Sequence, residues 1–114
     1  RKSIAVREEE KQQIRELQKN ARRDRVNLME KRDELLKSQL MEQVSGGIRD
    51  TTTNRTIIKA KTLLTTSRVK NLDYESLSLK SPWVENPIIW NKILKIWQNY
   101  RRNLRQLELH LLLF

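Results

Sequence analysis

The segment that decides the fold runs from Ser81 to Phe114 and reads SPWVENPIIWNKILKIWQNYRRNLRQLELHLLLF. It holds all three tryptophans of the chain, and these lie seven residues apart. From Trp90 onward the apolar residues alternate at spacings of three and four, which places them on one stripe of an α-helix. The members of this stripe are Trp90, Ile93, Trp97, Tyr100, Leu104, Leu107, Leu111 and Phe114. The sequence therefore predicts a C-terminal region, residues 82–114, built on one helix with a long apolar stripe.

The start of this helix is marked by Asn86 and Pro87. An asparagine side chain caps the free N–H groups of a helix, and proline at the first helical position gives up no hydrogen bond. Trp83 precedes the helix, and we expect it to fold back as an anchor after the turn at Ser81-Pro82. Tryptophan is too large for an ordinary two-stranded coiled coil, in which Leu, Ile and Val interdigitate. The stripe is therefore expected to face a bundle of three or more helices, or a groove on a larger partner.

The N-terminal region, residues 1–45, predicts a second long helix over residues 4–44. Glu, Gln, Arg, Lys and Leu dominate this region, and no proline or glycine precedes Gly46. Gly46-Gly47 is the expected stop signal, because glycine readily adopts the left-handed conformation that ends helices. Its apolar residues follow a seven-residue series with one additional position, and a neighbouring row of Met29, Leu36 and Leu40 widens the stripe. The seven-residue series is Ile14, Ala21, Leu28 and Leu35, and the additional position is Leu17.

The region between the two helices, residues 46–81, is basic and rich in threonine. Residues 45–71 carry six basic side chains and one acidic side chain. A short helix over residues 54–69 is one expectation, and an extended or partner-ordered segment is the other, since β-branched threonines lower helix propensity. The basic residues either contact nucleic-acid phosphates or form a solvated segment that complements acidic neighbours in an assembly. The candidate polyanion contacts are Arg55, Lys59, Lys61, Arg68 and Lys70.

Composition argues for an elongated, all-α chain with long coiled-coil-type helices and an irregular basic middle, and against an independent globular domain. Of the 114 residues, 37% are hydrophobic and 33% are charged, and only two are glycine and two are proline. Typical soluble domains contain about 25% charged residues. We therefore expect the chain to borrow its core from a partner. Its net charge of +10 favours polyanionic partners.

The sequence contains few groups suited to catalysis or metal binding. It has no cysteine, which excludes disulfides and thiolate metal sites, and its one histidine, His110, lies beside the apolar stripe. The acidic run at Glu8–Glu10 is expected to be a solvated helix face. We predict that the protein is not an enzyme and has no catalytic residue, cofactor or metal. No stretch is long and apolar enough for a membrane span, and residues 1–20 contain no apolar run typical of a secretory signal.

These features predict a non-enzymatic scaffold that bridges other protein subunits of a multiprotein nuclear complex, related to chromatin or transcription. Whether the two helices pair with each other or with partner helices stays open. One alternative is an RNA-binding component of a ribonucleoprotein, spliceosomal or mitochondrial ribosomal, with mitochondrial localisation in the latter case. Another is a membrane-tethering coiled coil. The predicted partner interface consists of Trp83, Trp90, Ile93, Trp97, Tyr100, Leu104, Leu107, Leu111, Ile14, Leu17, Ala21, Leu28 and Leu35.

Overall fold

A computed structural model describes the backbone of residues 2–112 and the side chains of residues 7–110. Two long helices dominate it: α1 spans Lys2–Leu40 and α3 spans Pro87–Leu112. Between them lie strand β1 at Ile48–Arg49, strand β2 at Thr56–Ile58, helix α2 at Thr66–Lys70 and a 3₁₀ turn at Tyr74–Ser76. The molecule measures 69 × 23 × 23 Å. The prediction of a mostly helical chain with two long helices is confirmed, and the two-stranded sheet is an addition to it.

The two long helices pack against each other in antiparallel directions. Arg32 of α1 contacts Trp97 and Tyr100 of α3, whereas Leu28, one turn earlier in α1, shares a groove with Asn103, further along α3. At 1.5 Å per residue α1 is about 58 Å long and α3 about 39 Å long. The first part of α1 therefore extends past the described end of α3.

The structure does not confirm a coiled coil. In the predicted α1 series, Ala21 is buried, but Ile14 and Leu35 are 52% and 44% exposed. The face of α1 that enters the core instead carries Leu36 and Leu40, which are fully buried. These two belong to the neighbouring row rather than to the seven-residue series.

Helix α1 ends at Leu40, several residues before the predicted stop at Gly46-Gly47. Glu42 adopts a left-handed conformation with φ of 62°, and its N–H donates to the Leu64 carbonyl at 3.0 Å. The chain therefore leaves the helix to pair with a distant segment. Gly46 allows the chain after the helix to approach the Pro82 backbone closely, because a Cβ at Gly46 would lie 2.8 Å from the Pro82 carbonyl oxygen.

Residues 41–86, which we call the head, fold as short paired segments at one end of the helix pair. The two strands are antiparallel, with Ile48 opposite Ile58. Backbone bridges add Val44 to Leu63 and Ser45 to Val84. The helix expected over residues 54–69 is not formed: β2 occupies 56–58, and α2 begins only at Thr66. The β-branched residues favour extended backbone here, and that backbone places Ile58 and Leu64 in the core.

The core lies where the head meets the helix pair, and it is built by the chain itself. Trp83 is fully buried at its centre, and its indole N–H donates to the Ser78 carbonyl at 2.7 Å. Tyr74 donates to the Val69 carbonyl at 2.8 Å, and burial raises the pKa of its hydroxyl. The expectation that the core is borrowed from a partner is therefore corrected: the head supplies the surface that covers Ile93 and Trp97.

Candidate partner-binding groove

A groove of about 480 Å³ runs between α1 and α3, beside the core. We call it the inter-helix groove. Its apolar surface comes from Leu28 and Leu35 of α1 and from Ile96 and Tyr100 of α3. None of these four side chains is fully buried, and Leu35 is 44% exposed. The two helices therefore leave an apolar strip between them that the chain covers only in part.

Polar and basic side chains surround this apolar strip. Lys31 of α1 and Arg102 of α3 supply positive charge, and Asn99, Asn103 and Gln106 supply amide groups. No carboxylate from the described residues lines the groove. The surface is therefore complementary to an apolar stripe flanked by acidic residues, such as one face of an amphipathic helix.

One wall of the groove is fixed by Arg32, which is only 3% exposed. Its guanidinium lies 4.8 Å from the ring centre of Trp97 and 4.6 Å from that of Tyr100. It also pairs with Asp33 at 2.8 Å and with Glu75 of the head. Burial would lower the pKa of Arg32, but the hydrogen bonds to Glu75 and Asp33 outweigh it and raise that pKa. Arg32 of α1, its charge compensated by these carboxylates, thus contacts both α3 and the head.

Below Arg32 the three tryptophans form one aromatic cluster. The ring centres of Trp83 and Trp90 are 5.8 Å apart, and those of Trp83 and Trp97 are 6.3 Å apart at an interplanar angle of 90°. Trp97 continues to Tyr100 in a second edge-to-face contact at 5.9 Å. Such geometries are favourable for aromatic pairs. Trp83 of the head therefore packs on Trp90 and Trp97 of α3, and this contact joins the head to the helices.

The structure divides the predicted interface residues into three groups. Trp83, Ile93, Trp97 and Ala21 are buried. Half-buried positions are Trp90, Tyr100, Leu104, Leu107, Leu17 and Leu28, whereas Ile14 and Leu35 are exposed. The side chain of Leu111 and the whole of Phe114 lie outside the described residues. Partner contact at the half-buried and exposed positions stays a prediction.

The interface predicted from the sequence did not include Arg32, Ile96 or the two cations beside the groove. A signal for Arg32 was present, because it stands four residues before Leu36 and eight before Leu40 in the row that packs into the core. A charged residue at a core spacing indicates a buried ion pair. Its partner Glu75 lies 43 residues away and follows no local pattern.

The five basic residues predicted to contact polyanions are all exposed on the head. Arg55 and Lys59 lie on either side of β2 and do not share a helical face. Arg68 donates from its guanidinium to the Leu63 carbonyl at 2.9 Å. The remaining cations, Lys61 and Lys70, lie in the turn after β2 and at the end of α2.

Comparisons of this chain with protein-family models, with curated proteins and with solved structures found no match. Within the part of the chain that the structure describes, neither long helix is apolar enough over a sufficient length to cross a membrane. The same residues contain no cluster of histidine and carboxylate side chains arranged to hold a metal ion.

Proposed function

We propose that the protein is a non-enzymatic scaffold subunit that holds a partner helix in the inter-helix groove. The observation that carries this proposal is the partly covered apolar strip of Leu28, Leu35, Ile96 and Tyr100 along the junction of α1 and α3. A helix laid there would complete a three-helix arrangement. Complete burial of an exposed large apolar side chain contributes roughly 1.5–3 kcal/mol before entropy costs, and the half-buried members of the strip contribute less.

The charge around the groove indicates what kind of helix fits. Lys31 and Arg102 face any occupant with positive charge, and no described carboxylate lines the groove to balance them. An acidic, amphipathic helix satisfies both the cations and the apolar strip. A basic helix would meet like charges, which disfavour binding.

The net charge of +10 supports placement in an assembly that handles nucleic acid. We propose a nuclear complex related to chromatin or transcription as that assembly. Cross-linking and mass spectrometry on material purified from cells would identify the protein opposite Leu35 and test the cellular setting. Recovery of exclusively mitochondrial or membrane proteins would contradict the nuclear setting.

A matched pair of variants tests the groove itself. Leu35→Glu places a carboxylate on the apolar strip, whereas Val26→Glu places one on the same helix at a residue that is 50% exposed and outside the groove. We expect Leu35→Glu to reduce partner recovery more than about tenfold, because a central apolar contact and the charge complementarity are removed together. Val26→Glu is expected to retain the partner. Equal recovery with both variants would show that the groove is not the binding site.

A second candidate function is binding of RNA as part of a ribonucleoprotein. The observation that favours it is the exposure of the basic residues of the head, of which Arg55, Lys59, Lys61 and Lys70 make no ion pair among the described residues. Binding of the chain to RNA with strong salt dependence would support this candidate. Absence of binding at low salt would rule it out.

A further inference from the structure

A second, polar groove of about 400 Å³ lies in the head, apart from the inter-helix groove. We call it the head groove. Arg49 and Lys80 line it together with the polar side chains of Asn54, Thr56, Ser78 and Ser81. Neither cation belongs to the five predicted from the sequence. The combination of two cations with hydroxyl and amide donors is the chemistry that recognises a phosphate group.

Backbone pairing brings the two cations together from distant parts of the sequence. Arg49 stands opposite Thr56 in the β1–β2 pair. On the other side of β1, the Ser78 N–H donates to the Arg49 carbonyl at 2.8 Å, which holds the segment leading to Lys80 beside this strand. The Lys80 N–H donates to the Ser78 hydroxyl oxygen at 3.3 Å, so that oxygen accepts and its proton remains available to donate. The groove is therefore held by main-chain hydrogen bonds.

The charge of the head groove is uncompensated. Among the side chains of residues 7–110, neither Arg49 nor Lys80 makes an ion pair or a side-chain hydrogen bond. No described carboxylate lines the groove. The nearest carboxylate in sequence, Asp50, accepts hydrogen bonds from the N–H groups of Thr52 and Thr53, and this bonding lowers its pKa. The Asp50 carboxylate is thus occupied by hydrogen bonds within its own turn.

We propose that the head groove binds backbone phosphates of a nucleic-acid strand. Ala60 lines the groove and is followed in the chain by the exposed Lys61, whereas the exposed Lys59 lines a separate groove of the head with Ile57 and Arg68. A chain of repeated phosphates spans both the head groove and the exposed cations elsewhere on the head, whereas a single phosphate reaches only one of these sites. No aromatic side chain among the described residues lines the groove, so we expect binding there without base stacking. The inference is independent of the partner helix, so its failure would leave the scaffold proposal intact. It rests on the RNA-binding candidate, and equal weakening by both double variants described below would overturn the head groove while leaving that candidate standing.

The test measures binding of the 114-residue chain to a fluorescent single-stranded RNA homopolymer by anisotropy, from about 0.1 M to about 1 M salt. The variant carries Arg49→Gln and Lys80→Gln together. A matched control removes the same charge from the exposed face of α3 with Lys92→Gln and Lys95→Gln. Helical circular dichroism of both variants should equal that of the parent, because none of the four side chains is buried.

Removal of one phosphate-binding cation from a single-strand complex lowers the slope of log affinity against log salt by about 0.7. Removal of two such cations therefore makes this negative slope shallower by about 1.4. Over the tenfold range from 1 M to 0.1 M salt, the variant then gains about 25-fold less affinity than the parent does. We expect this weakening for Arg49→Gln with Lys80→Gln and less than about a threefold change for the α3 control.

Three results would overturn the proposal. The first is equal weakening by the two double variants, which would assign binding to the overall charge of the chain. Absence of measurable binding by the parent at 0.1 M salt is the second. The third is displacement of the RNA by a phosphoserine peptide at lower concentration than by unlabelled RNA, which would assign the groove to phosphorylated protein.

Discussion

Replacement of Arg32 tests the connection between the head and the helix pair. Arg32→Ala removes two cation–π interactions, each worth about 0.5–2 kcal/mol, and charge-assisted hydrogen bonds to Asp33 and Glu75. The side chains of Asp33 and Glu75 are 33% and 50% exposed, so water can solvate both carboxylates once the guanidinium is gone. That solvation offsets much of the missing pairing. We expect a net decrease of roughly 2–4 kcal/mol in the free energy of unfolding.

Arg32→Met separates packing from charge. Methionine fills most of the volume of the arginine stem and leaves out the guanidinium, and replacing a buried ion pair with an apolar side chain often costs little. We expect Arg32→Met to lower the free energy of unfolding by about 1–2 kcal/mol, less than Arg32→Ala. Urea denaturation followed by helical circular dichroism measures both values. Lys31→Ala, an exposed change at the adjacent position, serves as the control and should stay within about 0.5 kcal/mol of the parent.

A double-mutant cycle then isolates the contact between α1 and the head. Glu75→Gln should destabilise the parent but not the Arg32→Met background, because its partner is absent there. Equal effects of Glu75→Gln in both backgrounds would show that the ion pair carries no coupling energy. A decrease below about 0.5 kcal/mol for Arg32→Ala would refute the larger role assigned to Arg32.

Further predictions concern the core, the turn and the surface charge. Trp97→Ala should lower the free energy of unfolding by about 3–5 kcal/mol in a urea titration, since Trp97 is 6% exposed within the chain; a decrease below about 1 kcal/mol would contradict this. Gly46→Ala should destabilise by roughly 1–3 kcal/mol, because its Cβ would meet the Pro82 carbonyl oxygen at 2.8 Å; unchanged thermal unfolding would show that the backbone yields easily. Burial raises the pKa of Tyr74 above its unfolded value of about 10, so its neutral form stabilises the fold below pH 10 and that contribution is lost as the pH rises further; Tyr74→Phe should weaken this alkaline dependence, and an identical pH profile would be inconsistent with it. Replacing the five sequence-predicted cations with glutamine should leave helical content unchanged and reduce the salt dependence of any nucleic-acid binding, whereas an unchanged salt slope would exclude them as phosphate contacts. These five are Arg55, Lys59, Lys61, Arg68 and Lys70.

Local sequence signals predicted the features that depend on neighbouring residues. Helix α3 begins at Pro87 as expected, and the Asn86 side chain accepts hydrogen bonds from the N–H groups of Ile88 at 2.9 Å and Ile89 at 3.4 Å. The continuous helix-forming composition before Gly46 predicted the existence of α1. Capping and propensity act within a few residues of the chain, so they can be read without the fold.

Features that depend on distant residues could not be predicted in the same way. Helix α1 ends at Leu40 because the following residues bond to the segment around Leu64. Trp83 folds back onto the tryptophan stripe as expected, but the stripe was expected to face a partner and the head covers its residues Ile93 and Trp97 instead. Arg32 is buried because Glu75 and two aromatic rings surround it. The contact that ends α1 and the contact that buries Arg32 each join residues more than twenty positions apart in the sequence.

The head lies between the two long helices in the sequence, and this position affects the order in which the chain folds. Helices α1 and α3 are joined by residues 41–86, so their contact requires closure of a loop of that length. For such a loop the entropic cost is about 3.4 kcal/mol plus a constant. We expect the pairing of Gln43 and Ser45 with residues 62–64, and of Gly46 with Trp83, to shorten the loop in steps before the helices meet. Changes in these backbone pairings should therefore slow folding, whereas changes between the helices far from the head, near Leu28 and Asn103, should mainly accelerate unfolding.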